Sequence, residues 1–319
     1  MTVVAAMYYI YFMNQEAVNR TDEKLFSLHW EIKTVLYLGV VSLSTGLGML
    51  IYQNIDTIGH QVILAIIAAI SGGCFFYCFK TKKPFSFLRV KSPNSFFDYV
   101  LLLACLSFLS FVGYLQFQYE VFGLNYGMAT FIPMLMLFYV AYNFDHLGIL
   151  SLAITNLGVW MGLSLTPTRL LSTNDYNSEV LIYMYLLLGL ILLLAAYLTG
   201  RYQVKPHFEF TYQHFGAHVG FISLLAGYFF YFDHFYAVMF LVVLAALGTY
   251  IYIKAIQQRS FYFLLLVVLY GYIALSSLIV RALVSINDGS LFLMLFYFTF
   301  SAFGFVFLLI HLNKKIKAS

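Results

Sequence analysis

Long runs of apolar residues, separated by short polar breaks, are the dominant pattern of this sequence. The clearest example is 126–165, where two apolar runs flank Asn143, Phe144, Asp145 and His146. Each run has about the ~20 residues that an α-helix needs to cross a bilayer. The short break between them predicts a tight reversal at a membrane surface, with one spanning helix on either side.

The same pattern occurs along most of the chain. Within lipid, every backbone N–H and C=O group must be paired inside its own segment, so a long uncharged run is predicted to be a helix. Continuously apolar runs exclude a β-barrel, because barrel strands alternate between apolar and polar residues. Ten stretches of at least 20 residues contain no Asp, Glu, Lys or Arg: 34–55, 57–79, 99–119, 121–144, 146–168, 180–200, 210–232, 234–253, 260–280 and 289–313.

The predicted fold is therefore an all-α, polytopic transmembrane helical bundle of about ten spans. Residues 1–33 mix charged and apolar positions, which predicts an amphipathic cytoplasmic segment at the membrane surface or a mobile tail. Residues 34–313 would form the transmembrane domain, and 314–319 a basic cytoplasmic tail. Composition agrees, because 62% of the residues are hydrophobic and only 9% are charged, against roughly 25% charged in soluble domains.

Lysine and arginine predict the orientation of the bundle. The loop 80–97 carries five of the 17 basic residues, and basic loops of membrane proteins lie preferentially in the cytoplasm. Threading ten helices from that loop places both termini in the cytoplasm and leaves only Arg169 and Arg281 outside. We therefore predict an N-in, C-in topology.

Three helix junctions resemble one another and indicate a weak inverted repeat. They are YQNIDTIGH (52–60), YNFDH (142–146) and YFDH (231–234), and their aspartates, Asp56, Asp145 and Asp233, are separated by 89 and 88 residues. Successive copies would face opposite sides of the membrane, as in many secondary transporters. Alternatively, Tyr, Asp, Asn and His are simply the residues expected where an apolar helix meets water.

Several polar residues are candidates for a binding site. An Asp next to a His, as in Asp145–His146 and Asp233–His234, would form a proton-handling pair, because a carboxylate tunes a neighbouring imidazole. Gln116 and Glu120 would line an outward-facing pocket or simply end the third helix. Mid-helix Asn156 would bond a neighbouring helix or a ligand. The candidate binding residues are Asp56, Gln116, Glu120, Asp145, His146, Asn156, Asp233 and His234.

A second group of candidates would hold a metal ion. His214 and His218 are spaced i, i+4 at the start of the seventh helix, which puts two imidazoles on one face. His207 and Glu209 lie just upstream and would complete the site. The alternative is a set of interfacial histidines, since no HExxH motif is present. Nothing in the sequence identifies a cofactor.

The order of these features resembles a known family. The run from YQNIDTIGH through DYVLLL, GYLQFQYEVFG, the fourth helix with Pro133, and AYNFDHLG is similar to bacterial predicted multipass membrane proteins of the domain of unknown function 2157 family. The resemblance covers about residues 10–200. It implies a multipass protein of the bacterial inner membrane, and it implies no particular reaction, ligand or catalytic residue.

Three functions are compatible with these patterns. The repeat, Pro133 and the polar junctions favour a carrier or small-molecule binding protein with a site among helices three to five and seven. The absence of mid-helix Asp, Glu, Lys and Arg favours a non-catalytic structural or accessory subunit. The third is a membrane enzyme that uses the metal group on a lipid or a quinone. The predicted partners are the lipid bilayer and further membrane subunits; no basic stripe for nucleic acid is present.

Overall fold

The computed structural model describes residues 28–53, 59–123, 126–165, 179–286 and 290–318. Within these ranges the chain is helical and contains no β-strand, and a short 3-10 helix, Pro206–Phe208, precedes the seventh long helix. The long helices are α1 (Leu28–Gln53), α2 (His60–Thr81), α3 (Ser95–Tyr119), α4 (Tyr126–Phe144), α5 (Leu147–Leu165), α6 (Glu179–Tyr202), α7 (Glu209–Phe230), α8 (Tyr236–Gln257), α9 (Phe261–Ile286) and α10 (Ser290–Ala318).

Each of the ten uncharged stretches coincides with one of these helices, so the predicted helical bundle is confirmed. Eight helices, α2–α6 and α8–α10, are long and apolar enough to cross a membrane. In α1 the apolar part is shorter, Thr34–Leu50. Residues 1–27 lie outside the described part of the chain, and the basic tail predicted at 314–319 continues α10 as far as Ala318.

Helix α7 is the other exception, and its surroundings explain why. Its 22 residues would extend about 33 Å, enough for the hydrocarbon core of a bilayer. It is less apolar than its neighbours because it carries Glu209, Gln213, His214 and His218. Twelve of its residues are buried, and it packs against α5, α6, α8, α9 and the 3-10 helix. A helix enclosed by other helices can place polar side chains toward protein rather than lipid.

The chain forms two compact units. The first comprises Met1–Lys82 and Ser92–Tyr114, and therefore holds α1, α2 and most of α3. Its helices are joined by the Ser71 hydroxyl, which donates to the Ala104 carbonyl at 3.1 Å, and by edge-to-face packing of Tyr37 on Tyr99.

The second unit comprises Lys83–Lys91 and Leu115–Ser319. Helices α4 and α5 form an antiparallel pair. Each helix from α6 to α9 packs against the helix that follows it in the sequence. Helices α6 and α7 approach closely at glycines, since a Cβ on Gly189 would lie 2.9 Å from the backbone nitrogen of Gly220. Small residues of this kind let membrane helices bring their backbones together. Pro133 is buried inside α4, which continues past it.

The described loops of the second unit gather at two ends. One end, the basic end, is formed by 83–91, 145–146, 203–208 and 257–259. Hydrogen bonds join the first three segments, and Gln258 of the fourth bonds Glu209 at the start of α7. At the opposite end, Asp233 pairs with Arg281 at 3.6 Å.

Candidate functional site

The tight reversal between α4 and α5 places Asp145 inside the basic end. Helix α4 ends at Phe144 and α5 begins at Leu147, as predicted. Asp145 adopts the left-handed conformation, with φ of 60°, which Asp tolerates better than most residues. Its side chain is only 1% exposed. A carboxylate buried to this extent needs partners.

Three groups surround that carboxylate, and together with it they form the Asp145 cluster: Lys205, His207 and the backbone of Val90. Lys205 Nζ lies 3.3 Å from Asp145 Oδ2, and the Lys205 side chain is also only 1% exposed. The Val90 N–H donates to the same oxygen. His207 Nε2 lies 2.5 Å from Oδ1, although the angles between the two groups are not those of a regular hydrogen bond. Burying two opposite charges is tolerable only because they are paired and bonded in this way.

The turn before the 3-10 helix directs Lys205 into the cluster. Gln203 and Lys205 both have φ near 54°, at 55° and 53°. The Lys205 N–H donates to the Phe87 carbonyl at 2.7 Å, and its ammonium lies 4.9 Å from the centre of the Phe85 ring. Segment 83–91 is therefore fixed to the rest of the second unit by backbone, ionic and cation–π contacts.

Burial sets the protonation of His207. It lowers the pKa of the imidazole because a buried imidazolium loses hydration; Asp145 acts in the opposite direction, while Arg89 and Lys205 lower the pKa further. The net shift is downward. His207 is therefore neutral at pH 7, and Lys205 provides the charge that balances Asp145.

A second polar arrangement, the histidine–tyrosine chain, lies between α7 and α9. It consists of His214, Tyr262, His218 and Tyr270. The Tyr262 hydroxyl lies 2.6 Å from His214 Nδ1 and 2.8 Å from His218 Nε2, and the Tyr270 hydroxyl lies 2.7 Å from His218 Nδ1. His218 is nine residues beyond the start of α7, which places it about 14 Å along the helix axis.

The four candidate metal ligands have separate partners in the structure. His207 lies against Asp145, whereas the carboxylate of Glu209 accepts a hydrogen bond from Gln258 Nε2 at 3.2 Å. Tyrosine hydroxyls bond both ring nitrogens of His218 and Nδ1 of His214. Among the residues that the structure describes, no three His, Cys, Asp or Glu side chains lie close enough to hold a metal ion.

The two predicted Asp–His pairs have different environments. The buried His146 accepts the Ile149 N–H at Nδ1, at 3.2 Å, and so caps the start of α5, while Asp145 contacts His207 instead. Asp233 and His234 are exposed at the opposite end. Asp56, the third aspartate of the predicted repeat, lies outside the described residues.

The remaining candidates have structural partners. Gln116 donates to the Gly123 carbonyl at 2.8 Å and accepts the Phe122 N–H at 3.0 Å, which closes a turn after α3. Glu120 lies in that turn with φ of 46°. Asn156 donates to the Thr130 carbonyl at 2.9 Å and so joins α5 to α4. These three residues serve a helix end and a helix contact.

A cavity that the sequence did not predict lies between α7, α8 and α9. Its volume is about 430 Å³ and its walls are mostly apolar, with Phe221 from α7, Leu244 and Gly248 from α8, and Gly271 and Leu278 from α9. A Cβ on Gly271 would have nothing within 4 Å. The signal in the sequence was the set of small residues on successive helices, Ala245, Gly248, Gly271 and Ala274.

The cavity and the histidine–tyrosine chain share a wall. Phe221 lines the cavity and stacks on the Tyr270 ring, with centroids 4.8 Å apart and planes 17° apart. Both features thus lie within the packing of α7 on α9.

Comparison with known proteins identifies one family and no individual relative. Residues 11–150 match the family model described as Predicted membrane protein (DUF2157). No curated protein and no solved structure matches the chain. The matched region contains Asp145 and His146, whereas Lys205, the histidine–tyrosine chain and the cavity lie beyond it. The resemblance predicted from the sequence is thus confirmed over residues 11–150, which are similar to the DUF2157 family of predicted membrane proteins.

Proposed function

We propose that the protein binds an apolar small molecule in the cavity between α7, α8 and α9, and carries it within the membrane. The cavity volume of about 430 Å³ supports this, because it lies within the ~300–1,000 Å³ typical of ligand pockets. Helices α8 and α9 are both apolar enough to span a bilayer, so the cavity would lie at membrane depth. We also propose that the protein crosses a bacterial inner membrane ten times, with both of its ends in the cytoplasm.

The lining favours an apolar ligand over a polar solute. Thr249 is one of the few polar residues in the wall, and its hydroxyl donates to the Ala245 carbonyl of its own helix at 2.8 Å. A polar solute would lose its hydration and gain few hydrogen bonds in return. A hydrocarbon that moves from lipid into the cavity loses no hydration and no hydrogen bonds. Close packing against the walls would therefore decide which molecules bind.

The route of entry follows from the shape of the cavity. It is open rather than enclosed, and we expect the opening to face lipid when the second unit is in a bilayer. Gly248 and Gly271 leave this space unfilled because neither brings a side chain into it. A ligand would therefore enter sideways from the membrane, without crossing the polar ends of the unit.

The proposal is tested by filling the cavity. Gly271→Leu adds a side chain into open space on α9, and Gly304→Leu on α10 is the matched control, since a Cβ there also meets nothing within 4 Å. The probe is a long-chain fatty acid with a diazirine on its chain, added to protein in lipid nanodiscs and activated by light. Mass spectrometry then locates the labelled residues.

The wild-type protein and the Gly304→Leu variant should be labelled on the cavity faces of α8 and α9. Gly271→Leu should reduce that labelling about tenfold, the effect of roughly 1.4 kcal/mol of lost affinity. Equal labelling of all three proteins at these positions would contradict the proposal.

The alternative of an accessory subunit is favoured by one observation on α10. None of the residues in the apolar stretch Phe292–Lys315 is buried, and α10 packs mainly against α9. A photoreactive amino acid in place of Phe300, whose side chain is exposed, distinguishes the two functions in native membranes. A discrete adduct with another protein chain supports the accessory subunit, whereas adducts with lipid alone support the binding protein.

A further inference from the structure

We propose that the histidine–tyrosine chain is an intramembrane proton-binding relay, which moves protons between the interior of the second unit and the side of α7 near the basic end. The inference is independent of the ligand of the cavity, because it rests on a different set of contacts. The bound species is the proton itself.

The relay is continuous over four side chains. Its links run in the order His214, Tyr262, His218, Tyr270, with heavy-atom distances of 2.6, 2.8 and 2.7 Å. All three are within the range of good hydrogen bonds, which is the geometry that proton transfer requires. The i, i+4 spacing on α7 and the i, i+8 spacing on α9 keep all four groups on one interhelical seam.

The proton count allows two complete arrangements of this chain. In the first, Tyr270 donates to His218 Nδ1, His218 Nε2–H donates to Tyr262, and Tyr262 donates to His214 Nδ1. In the second, every donor and acceptor is reversed, and His214 Nδ1–H donates to Tyr262. Both arrangements satisfy all three hydrogen bonds with neutral side chains, because a hydroxyl and a neutral imidazole each donate once and accept once.

Passage of one proton converts the first arrangement into the second. A hydronium ion gives a proton to the Tyr270 oxygen, which releases its original hydroxyl proton to His218 Nδ1. His218 then gives its Nε2 proton to Tyr262, and Tyr262 gives its own to His214 Nδ1. His214 finally gives its Nε2 proton to a water molecule, so one proton enters, one leaves, and no charge remains on the four side chains. Rotation of the hydroxyls and exchange of the imidazole protons restore the first arrangement.

The helices packed on α7 carry tyrosines besides those of the relay: Tyr183, Tyr185, Tyr197 and Tyr202 on α6, Tyr236, Tyr250 and Tyr252 on α8, and Tyr272 on α9. Helix α5, which packs on α7, has no Asp, Glu, Lys, Arg, His or Tyr. On α7 itself, Tyr212 bonds Tyr142 and Tyr228 bonds Ser277. Among the described residues, the other charged or histidine side chains of the packed elements and their loops stand near the helix ends: Asp145, His146, Glu179, Arg201, Lys205, His207, Glu209, Asp233, His234, Lys254, Arg259 and Arg281.

Helix packing alone does not require imidazoles at this position. Helix α9 uses simple hydroxyl pairs toward α10, where Tyr272 bonds Ser301 and Ser276 bonds Tyr297, each at 2.8 Å. Interhelical hydrogen bonds in membranes contribute little stability on average, and hydroxyl pairs supply them without an imidazole. Ionisable groups at membrane depth are costly and typically mark proton or substrate pathways.

The test breaks the relay at its central hydroxyl. Tyr262→Phe removes the link between the two imidazoles, and Tyr272→Phe is the matched control, since it removes an interhelical tyrosine hydroxyl of α9 outside the relay. Nitrogen NMR of histidine-labelled protein in nanodiscs follows His214 and His218, assigned by His→Gln variants. Release and uptake of protons after a pH jump are followed with a membrane-impermeant dye.

In wild-type protein and Tyr272→Phe, the two histidines should titrate as a coupled pair, and His218 should exchange between its two tautomers. In Tyr262→Phe they should titrate independently, with proton uptake slower by at least about 100-fold, the lower bound for loss of a positioned acid–base group. Identical titrations and uptake rates in the two variants would overturn the relay. Where Tyr262→Phe does not fold, the wild-type spectrum decides: a single fixed His218 tautomer at every pH also overturns it.

Discussion

At the scale of single residues, the buried ion pair between Asp145 and Lys205 carries the clearest energetic consequence. Both side chains are 1% exposed, so each charge depends on the other for its stabilisation. Sequence reasoning singled out Asp145 because it interrupts two apolar runs. It did not identify Lys205, which is 60 positions away and is directed inward by its left-handed backbone, a feature that no local pattern encodes.

Loss of the carboxylate should therefore destabilise the protein strongly. Asp145→Asn keeps the shape and tolerates the left-handed backbone, but it leaves Lys205 buried without its counter-ion. We expect the free energy of unfolding to fall by about 3–5 kcal/mol, the usual cost of breaking a buried pair from one side. Denaturant unfolding in detergent micelles measures it, and adding Lys205→Met to Asp145→Asn should recover most of the loss.

Asp233→Asn is the matched control at the opposite end. Asp233 is 87% exposed and its distance to Arg281 is 3.6 Å, so solvent screens the pair and stability should not change. Equal effects of Asp145→Asn and Asp233→Asn would show that the buried pair contributes no more than a surface pair.

His207 gives the Asp145 cluster a pH dependence of known sign. Its pKa is lowered in the folded protein, chiefly by burial, so the unfolded chain binds the proton more readily. The resulting stability is present above the unfolded pKa of about 6.5 and is lost as the pH falls from there toward the folded pKa. The unfolding midpoint of the wild-type protein should decrease in this window more than that of His207→Gln. Parallel pH profiles of the two proteins would contradict this.

At the scale of elements, the helices were predictable and their partners were not. Lipid forces an uncharged run of sufficient length to become a helix, so the runs in the sequence located all ten helices. Helix α7 shows the limit of such predictions. His214 and His218 have the i, i+4 spacing of a metal pair, and only the position of α9 shows that the Tyr262 hydroxyl bonds a ring nitrogen of each. Spacing along one helix cannot identify the helix that faces it.

The close approach of α6 and α7 predicts a large effect from one methyl group. A Cβ on Gly189 would lie 2.9 Å from the Gly220 nitrogen and 3.0 Å from its Cα, and the backbone cannot move aside as a flexible side chain can. Gly189→Ala should lower the free energy of unfolding by about 1–3 kcal/mol, as overpacking does.

The control for this substitution is Gly271→Ala, where a Cβ meets nothing within 4 Å. It should leave stability unchanged or raise it, because alanine is the better helix former. Thermal unfolding of both variants in the same detergent provides the comparison. A harmless Gly189→Ala would mean that α6 and α7 are farther apart than the structure indicates.

At the scale of the whole molecule, sidedness is the prediction that the basic residues make. The test replaces Cys74, Cys78 and Cys105 by alanine and then introduces one cysteine at a time. A membrane-impermeant maleimide shows from which side of the membrane each new cysteine reacts. Cysteines at Lys83 and Gln258 should react from the cytoplasm, and a cysteine at Asp233 from outside. Reaction of Lys83 and Asp233 positions from the same side would contradict an alternating bundle.

The cavity between α7, α8 and α9 belongs to the same scale, because three helices contribute to it and no single segment reveals it. Its small residues are visible in the sequence, but Gly248 and Gly271 acquire meaning only when α8 and α9 are adjacent. The site predicted among helices three to five and seven shares α7 with this cavity, which lies on the α8–α9 side of that helix.

The most direct test of the binding function is a high-resolution cryo-EM map of the protein extracted with its native lipids. We predict elongated non-protein density between α8 and α9, in contact with Phe221, Gly248 and Gly271. A map in which these helices close on each other, leaving no space and no density beside Gly271, would contradict the account.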